Sequence, residues 1–363
     1  MKRNVWHVVS LLMIVALLAT ACGPKPTEAP EGKFKVAFIY ISPPGDLGWT
    51  YEHDRGRRML EEQLGDQVET AYVENVEEGP EAARVIRQYA QQGYNMIFAT
   101  SFGYMDPMVE VAAEFPNVYF EHCSGYQTAP NLATYFGRMY QPRYLSGIVA
   151  GKMTQNNNIG YVAAVPIPEV IRGINAFTLG VRSVNPDAQV RVVWTSTWYD
   201  PVIEREAAVA LLDQGVDIIA QHQDTTEPQK AAQERGALSI GYDSDMRAFV
   251  GDTVLTSPVW NWGEYYVDTV EAAIKGEWTT HQYWGPMSEG IAGLADYSPR
   301  VPQDVRDQVD EARQKIYSGD WDVFCGVINN QAGEVRVAAG QCLSDSDMLS
   351  MDWFVEGVVG SLQ

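Results

Sequence analysis

Basic residues are scarce in this chain: 26 Lys and Arg stand against 47 Asp and Glu, a formal net charge of -21. That balance excludes nucleic acid as a partner and removes any direct attraction to anionic lipid. Histidine is scarce as well, five in 363 residues, and no two stand at a metal-ligand spacing, so neither a metal nor another cofactor is expected. The patterns GxSxG, HExxH, GxxxxGK[ST], GxGxxG and CxxC are all missing, which leaves no constellation for nucleophilic, metal-dependent or nucleotide-dependent catalysis. The apolar run from Val8 to Ala19 is about a dozen residues, short of the roughly 20 needed to span a bilayer.

What stands at the start reads as an export signal. Lys2 and Arg3 precede the apolar run, and Ala19-Thr20-Ala21-Cys22-Gly23 resembles a lipobox, so 1–22 is expected to be a lipoprotein signal peptide with Cys22 as the lipidated residue. Plain cleavage or an N-terminal anchor is the alternative. Residues 23–33, rich in proline and small polar groups, suit a flexible tether. Three cysteines remain. Cys325 and Cys342 bracket two short strand-like runs around a turn at Asn330 to Gly333, and outside the cytoplasm such a pair is expected to close a disulfide. Cys123 is left as a buried free thiol.

From Phe34 onward, short apolar runs alternate with amphipathic helical stretches. FKVAFIYI, VETAYVE, MIFATS and VYFEH read as strands, with helices over 55–64, 80–92 and 109–114 between them; after NLATYFG the alternation restarts with NIGYVAAV, VRVVWTS, DIIAQH and LSIGYDS. This grammar predicts parallel sheets covered by helices on both faces, in two successive α/β halves. In such sheets ligands sit beyond the carboxyl ends of the strands. The loops there hold aromatic and acidic side chains, among them Trp49, Tyr51, Phe102, Tyr104, Trp198, Tyr199, Asp224 and Asp243. Aromatic faces with a few polar groups can hold a flat heterocycle and read its edge.

The chain also resembles the basic membrane protein family, bacterial substrate-binding lipoproteins of the purine nucleoside receptor type that serve ABC transporters. The family's segment D-x-S-F-N-x-x-x-x-x-G is matched by Asp46-Leu47-Gly48-Trp49-Thr50 and Gly56, at the same spacing. Further along, Thr100-Ser101-Phe102-Gly103, NPD at 185–187, TWYDP at 197–201, GVDII at 215–219, GYDSD at 241–245 and VLTS at 254–257 follow in the family's order. The resemblance implies a type I periplasmic-binding-protein fold, two Rossmann-like lobes with parallel sheets joined by a three-strand hinge. It places lobe 1 at 34–138 and about 259–280, lobe 2 at 139–258 and about 281–299, and a helix and hairpin extension at 300–363.

It further implies a small-molecule purine-like ligand, ABC permease subunits as partners, a monomer lipid-anchored on the extracytoplasmic side of the bacterial membrane, and no enzymatic step. Trp49 matches the aromatic that stacks on the purine, Asp46 or Thr50 the reader of the base, and Asp243 or its neighbour the group that addresses the sugar. Phe102, Trp198, Asp224 and Trp260 complete the expected ligand site. Three departures shape the expected ligand: Gly48-Trp49-Thr50 in place of Ser-Phe-Asn, the bulkier Gln221 to Thr226 in place of a glycine-rich loop, and Trp260 where many relatives carry a lysine. They point to a free nucleobase or similar planar heterocycle; a purine nucleoside receptor and a sensory lipoprotein are the alternatives. A hydrolase using the acidic loops is a third. Packing roles compete for Trp49, Trp198 and Trp260, a helix N-cap for Asp224, and a hinge acceptor for Asp243.

Overall fold

A computed structural model describes residues 32–362. The expected signal segment, Cys22 and nearly all of the expected tether lie outside the described residues. From Phe34 the chain forms one compact unit, built as two halves around two sheets.

The first half contains β1 (Phe34–Ile39), α1 (Trp49–Leu64), β2 (Val68–Val73), α2 (Pro80–Gln91), β3 (Met96–Ala99), α3 (Met105–Glu114), β4 (Tyr119–Cys123) and β5 (Leu132–Gly137). The chain then crosses through α4 (Tyr140–Met153) into β6 (Asn158–Ala163), α5 (Pro168–Val184), β7 (Gln189–Trp194), α6 (Pro201–Asp213), β8 (Ile218–His222), α7 (Glu227–Glu234), β9 (Leu238–Ser239) and α8 (Arg247–Val250). It returns by β10 (Pro258–Trp260) to α9 (Trp262–Ile274) and β11 (Gln282–Gly285), and crosses again by β12 (Ala292–Leu294) to α10 (Gln303–Ser318). The last elements are β13 (Ile328–Asn329), β14 (Val335–Val337), α11 (Asp345–Leu349) and β15 (Val358–Val359).

Both large sheets are wholly parallel. Their orders are β11-β5-β4-β3-β1-β2 and β15-β7-β6-β8-β9. Each reverses its winding once, beside β1 in the first sheet and beside β6 in the second, and the crevices opened there are where such folds bind ligands. The strands are buried on both faces, as continuous apolar runs demand: Val36, Phe38, Met96 and Phe98 face one core of the first sheet, and Ala37, Ile39, Ile97 and Ala99 face the other.

Two expectations need correction. Residues 282–285 were expected with the second half, yet β11 joins the first sheet, Gln282 opposite Thr134 through Gly285 opposite Gly137. A four-residue strand carries no mark of which sheet it will join when its partner lies some 150 positions upstream. The helix expected to begin near Arg55 begins at Trp49. The tail does more than cover the surface: β15 pairs with β7, and Val301, Val305, Val309, Phe324, Phe354 and Val358 enter the core of the second half. Cys325 and Cys342 are disulfide-bonded across the β13–β14 hairpin, and Cys123 is a buried free thiol.

Candidate functional site

The loop after β1 is organised by Asp46, which acts on its own chain. Its Oδ1 accepts from the amides of Gly48 and Tyr51, both at 2.9 Å, and its Oδ2 accepts from the Thr50 amide and the Ser42 hydroxyl, both at 2.8 Å. A carboxylate so placed satisfies the free amides of a first helical turn and complements its dipole, which is why α1 starts at Trp49. The Thr50 hydroxyl lies 2.6 Å from that of Ser42. Asp46 and Thr50 thus hold the loop in shape and are absent from the cavity wall.

The indole of Trp49 is fixed by its neighbours. Its Nε1–H donates to the Thr100 carbonyl at 2.6 Å, tying the loop after β1 to the loop after β3. Its edge contacts are His53 at 4.5 Å, Trp262 at 5.8 Å and Trp260 at 6.0 Å between ring centroids, all nearly perpendicular. Trp260 stacks on Trp262 at 4.4 Å and donates its own N–H to Asp243 Oδ1 at 3.0 Å. Trp260 is therefore a buttress behind Trp49, and Asp243, whose backbone bridges to Val259 in the crossing strand, is the acceptor that holds the buttress.

Between the halves lies a narrow cleft with about 340 Å³ of empty space, the open solvent at its mouth included. From the first half it is lined by Ile41, Trp49, Ser101, Phe102 and Ser124. From the second come Glu169, Trp198, His222, Asp224 and Tyr242. Of the eight candidates, Trp49, Phe102, Trp198 and Asp224 meet here; Asp46, Thr50, Asp243 and Trp260 stand behind the wall. Sequence reasoning did not single out Ser124, Glu169, His222 or Tyr242 as site residues. All ten lie at or just after a strand's carboxyl end or in the first turn of the helix that follows, which is the signal that could have gathered them.

The second wall is a connected polar set. His222 Nε2 lies 3.4 Å from Glu169 Oε1 and 3.4 Å from the Tyr242 hydroxyl, and the guanidinium of Arg143 sits 3.5 Å over the Tyr242 ring. Arg143 also donates to the Gln221 carbonyl at 2.5 Å. Burial holds His222 down to about 4, so the imidazole is neutral at pH 7. Asp200 caps α6 by accepting from the amides of Val202 and Ile203, with Pro201 at the first helical position, which accounts for the TWYDP motif and sets Trp198 just before the helix.

Carboxyls from both halves converge on this region. Burial pushes Asp46 up to about 6, and Glu52 and Glu204 up to about 7; burial and then the neighbouring acids push Asp224 well above the carboxylate range, as burial does for Asp243. Because these folded values exceed the unfolded ones, the stability they confer is complete below about 4.5 and is lost as pH rises through about 7 and beyond. Buried His53, His122 and His222 are held low by desolvation and act oppositely, lowering stability as pH falls below about 6.5. The two effects oppose below that point and only the acids act above it. Scanning calorimetry should therefore find a lower Tm at pH 8 than at pH 6.5, and a flat or rising trend over that interval would refute the assignment.

The comparisons with known proteins agree with this geometry. Residues 33–325 match the family described as ABC transporter substrate-binding protein, PnrA-like. The chain is 48% identical over 328 residues to a purine-binding protein of Brucella abortus, covering 90% of this chain and 93% of that one. It is 43% identical over 344 residues to a putative ABC transporter glucose-binding protein of Haloferax volcanii, covering 94% and 84%. Among solved structures, an ABC transporter solute-binding protein from Aeropyrum pernix superposes with a TM-score of 0.71 at 21% identity, over 82% of this chain and 93% of that one, a likeness of fold. With two parallel-sheet halves closing on a cavity of aromatic and acidic side chains, the chain belongs to the PnrA-like family of ABC transporter substrate-binding proteins, extracytoplasmic and non-enzymatic receptors that pass a small molecule to a permease.

Proposed function

We propose that this receptor captures a free purine base, or a closely similar flat nitrogen heterocycle, and delivers it to its permease while tethered to the membrane through Cys22. The observation that carries the reading is the cavity wall itself: aromatic rings of Trp49 and Phe102 from one half and Trp198 from the other, together with Asp224. Opposed rings supply apolar area to a planar ligand, worth about 1–3 kcal/mol per stacked base. Closure keeps water from the hydrogen bonds at the rim.

The absence of a sugar from the ligand is supported by Asp243. That carboxylate, which the family resemblance would give to a ribose, accepts from the Trp260 indole through Oδ1 and lies outside the cavity lining, its Oδ2 buried without a hydrogen-bond partner. The position of the family's lysine is filled by Trp260 itself, wholly buried. Calorimetry with adenine, hypoxanthine, adenosine, guanosine and glucose tests the reading. A base should bind at least tenfold more tightly than its nucleoside, and binding of nucleosides or glucose without the bases would overturn it.

A further inference from the structure

Asp224 is the cavity-lining acid that the protein leaves waiting. It is 5% exposed, and its Oδ2 is wholly buried without a hydrogen-bond partner. Glu169, the other acid in the wall, has His222 beside it. The helix after Asp224 is capped at Thr226 without a side-chain bond, so the Asp224 carboxyl is not spent there. The charged groups that bear on it most strongly are Asp243, Asp46, Glu204 and Glu169, all acids. Of the indoles in the wall, Trp49 has already given its N–H to Thr100.

Resting on the reading of a purine-base receptor, we propose that Asp224 selects an amidine-type edge, a ring nitrogen beside an exocyclic amine, so that 6-amino purines bind in preference to 6-oxo purines. The ring nitrogen takes the Asp224 proton, so that the ring N–H and the exocyclic amine each donate to one oxygen of the resulting carboxylate, a charge-assisted pair. Burial and the surrounding acids favour the protonated form of Asp224 in the empty cleft, so the carboxyl brings the proton this pair needs. A 6-oxo purine already carries hydrogen on that ring nitrogen and presents a carbonyl beside it, so it cannot take the proton and is left with a neutral pair. The aromatic walls contribute equally to both ligands and cannot distinguish them, so discrimination falls to this carboxyl.

The test is calorimetric titration of the full-length protein with adenine, hypoxanthine and unsubstituted purine, for the wild type and for Asp224→Asn. The wild type should bind adenine at least tenfold more tightly than hypoxanthine and at least fivefold more tightly than purine, which keeps the ring nitrogen and lacks the amine. In Asp224→Asn the adenine to hypoxanthine ratio should fall below threefold, since a side-chain amide has no proton to give and offers one donor and one acceptor to either edge. A wild-type ratio below threefold overturns the inference without any need for the variant, as does a ratio that survives in a folded Asp224→Asn protein. Equal, tight binding of both bases would sink this inference while leaving the base receptor standing; binding of neither would sink the receptor reading itself.

Discussion

Gly48→Ala is expected to leave the protein folded and to weaken ligand binding by about a hundredfold or more. Gly48 ends the loop before α1, and there the two halves touch backbone to backbone. A Cβ added at Gly48 would stand 2.2 Å from the Asp224 carbonyl oxygen and 2.9 Å from its carbon. Neither atom is the far end of a flexible side chain, so the clash cannot be relieved by a rotamer change. Moving the halves apart relieves it at once, and that opening breaks the bond from the Ser244 hydroxyl to the Leu47 carbonyl across the same seam. An open cleft presents a ligand with one wall instead of two. Losing a stacked face, about 1–3 kcal/mol, and a hydrogen bond to a carboxyl, about 1.5–3 kcal/mol, amounts to roughly two decades of affinity or more. The measurements are calorimetry with adenine and small-angle scattering with and without ligand. Wild-type protein should hold its compact form when saturated, whereas the variant should stay expanded. A variant that binds within threefold of wild type would show that closure does not depend on this approach.

Much of the architecture was legible because a parallel sheet buried on both faces needs uninterrupted apolar strands, and such runs stand out between amphipathic helices. The site was half legible for a related reason. Loops at the carboxyl ends of strands are fixed by topology, so Trp49, Phe102, Trp198 and Asp224 can be gathered from the sequence alone. What escaped was how polar groups are spent. Asp46 and Thr50 carry the right chemistry to read a base, but their hydrogen bonds go to Ser42 and to the first amides of α1, a use that depends on local backbone geometry that the residue types do not specify. The helix expected over 55–64 begins at Trp49, and Asp46 four residues before Thr50 was the sign of that start. Trp260 looked like a ligand contact because it replaces a lysine; its engagement with Asp243, and through Trp262 with Trp49, joins positions far apart in the chain. Glu169 and His222 come together only when α5 and β8 are side by side, so neither alone signals a site.

Trp49→Ala is expected to lower both affinity and stability, and the two losses have separate origins. One belongs to the cavity: removal of the indole takes away a wall of the ligand site, about 1–3 kcal/mol or about 5- to 150-fold in Kd. The other belongs to the core. The indole is 8% exposed, packs edge-on against His53, Trp260 and Trp262, and donates to the Thr100 carbonyl, so its truncation leaves a void and an unsatisfied acceptor. Truncations of large buried aromatics cost about 3–5 kcal/mol, a loss that thermal melting of the ligand-free protein reads directly. Trp49→Phe separates the terms, because phenylalanine restores a ring for stacking but cannot donate to Thr100. Its affinity should lie within about tenfold of wild type, well above that of Trp49→Ala, while its stability falls by about 1 kcal/mol, the net worth of one hydrogen bond, together with whatever the smaller ring leaves unfilled. If Trp49→Ala lost stability and kept wild-type affinity, the indole would be core alone. The stacking wall would then have to come from the other rings that line the cavity, Phe102, Trp198, Tyr242 and His222.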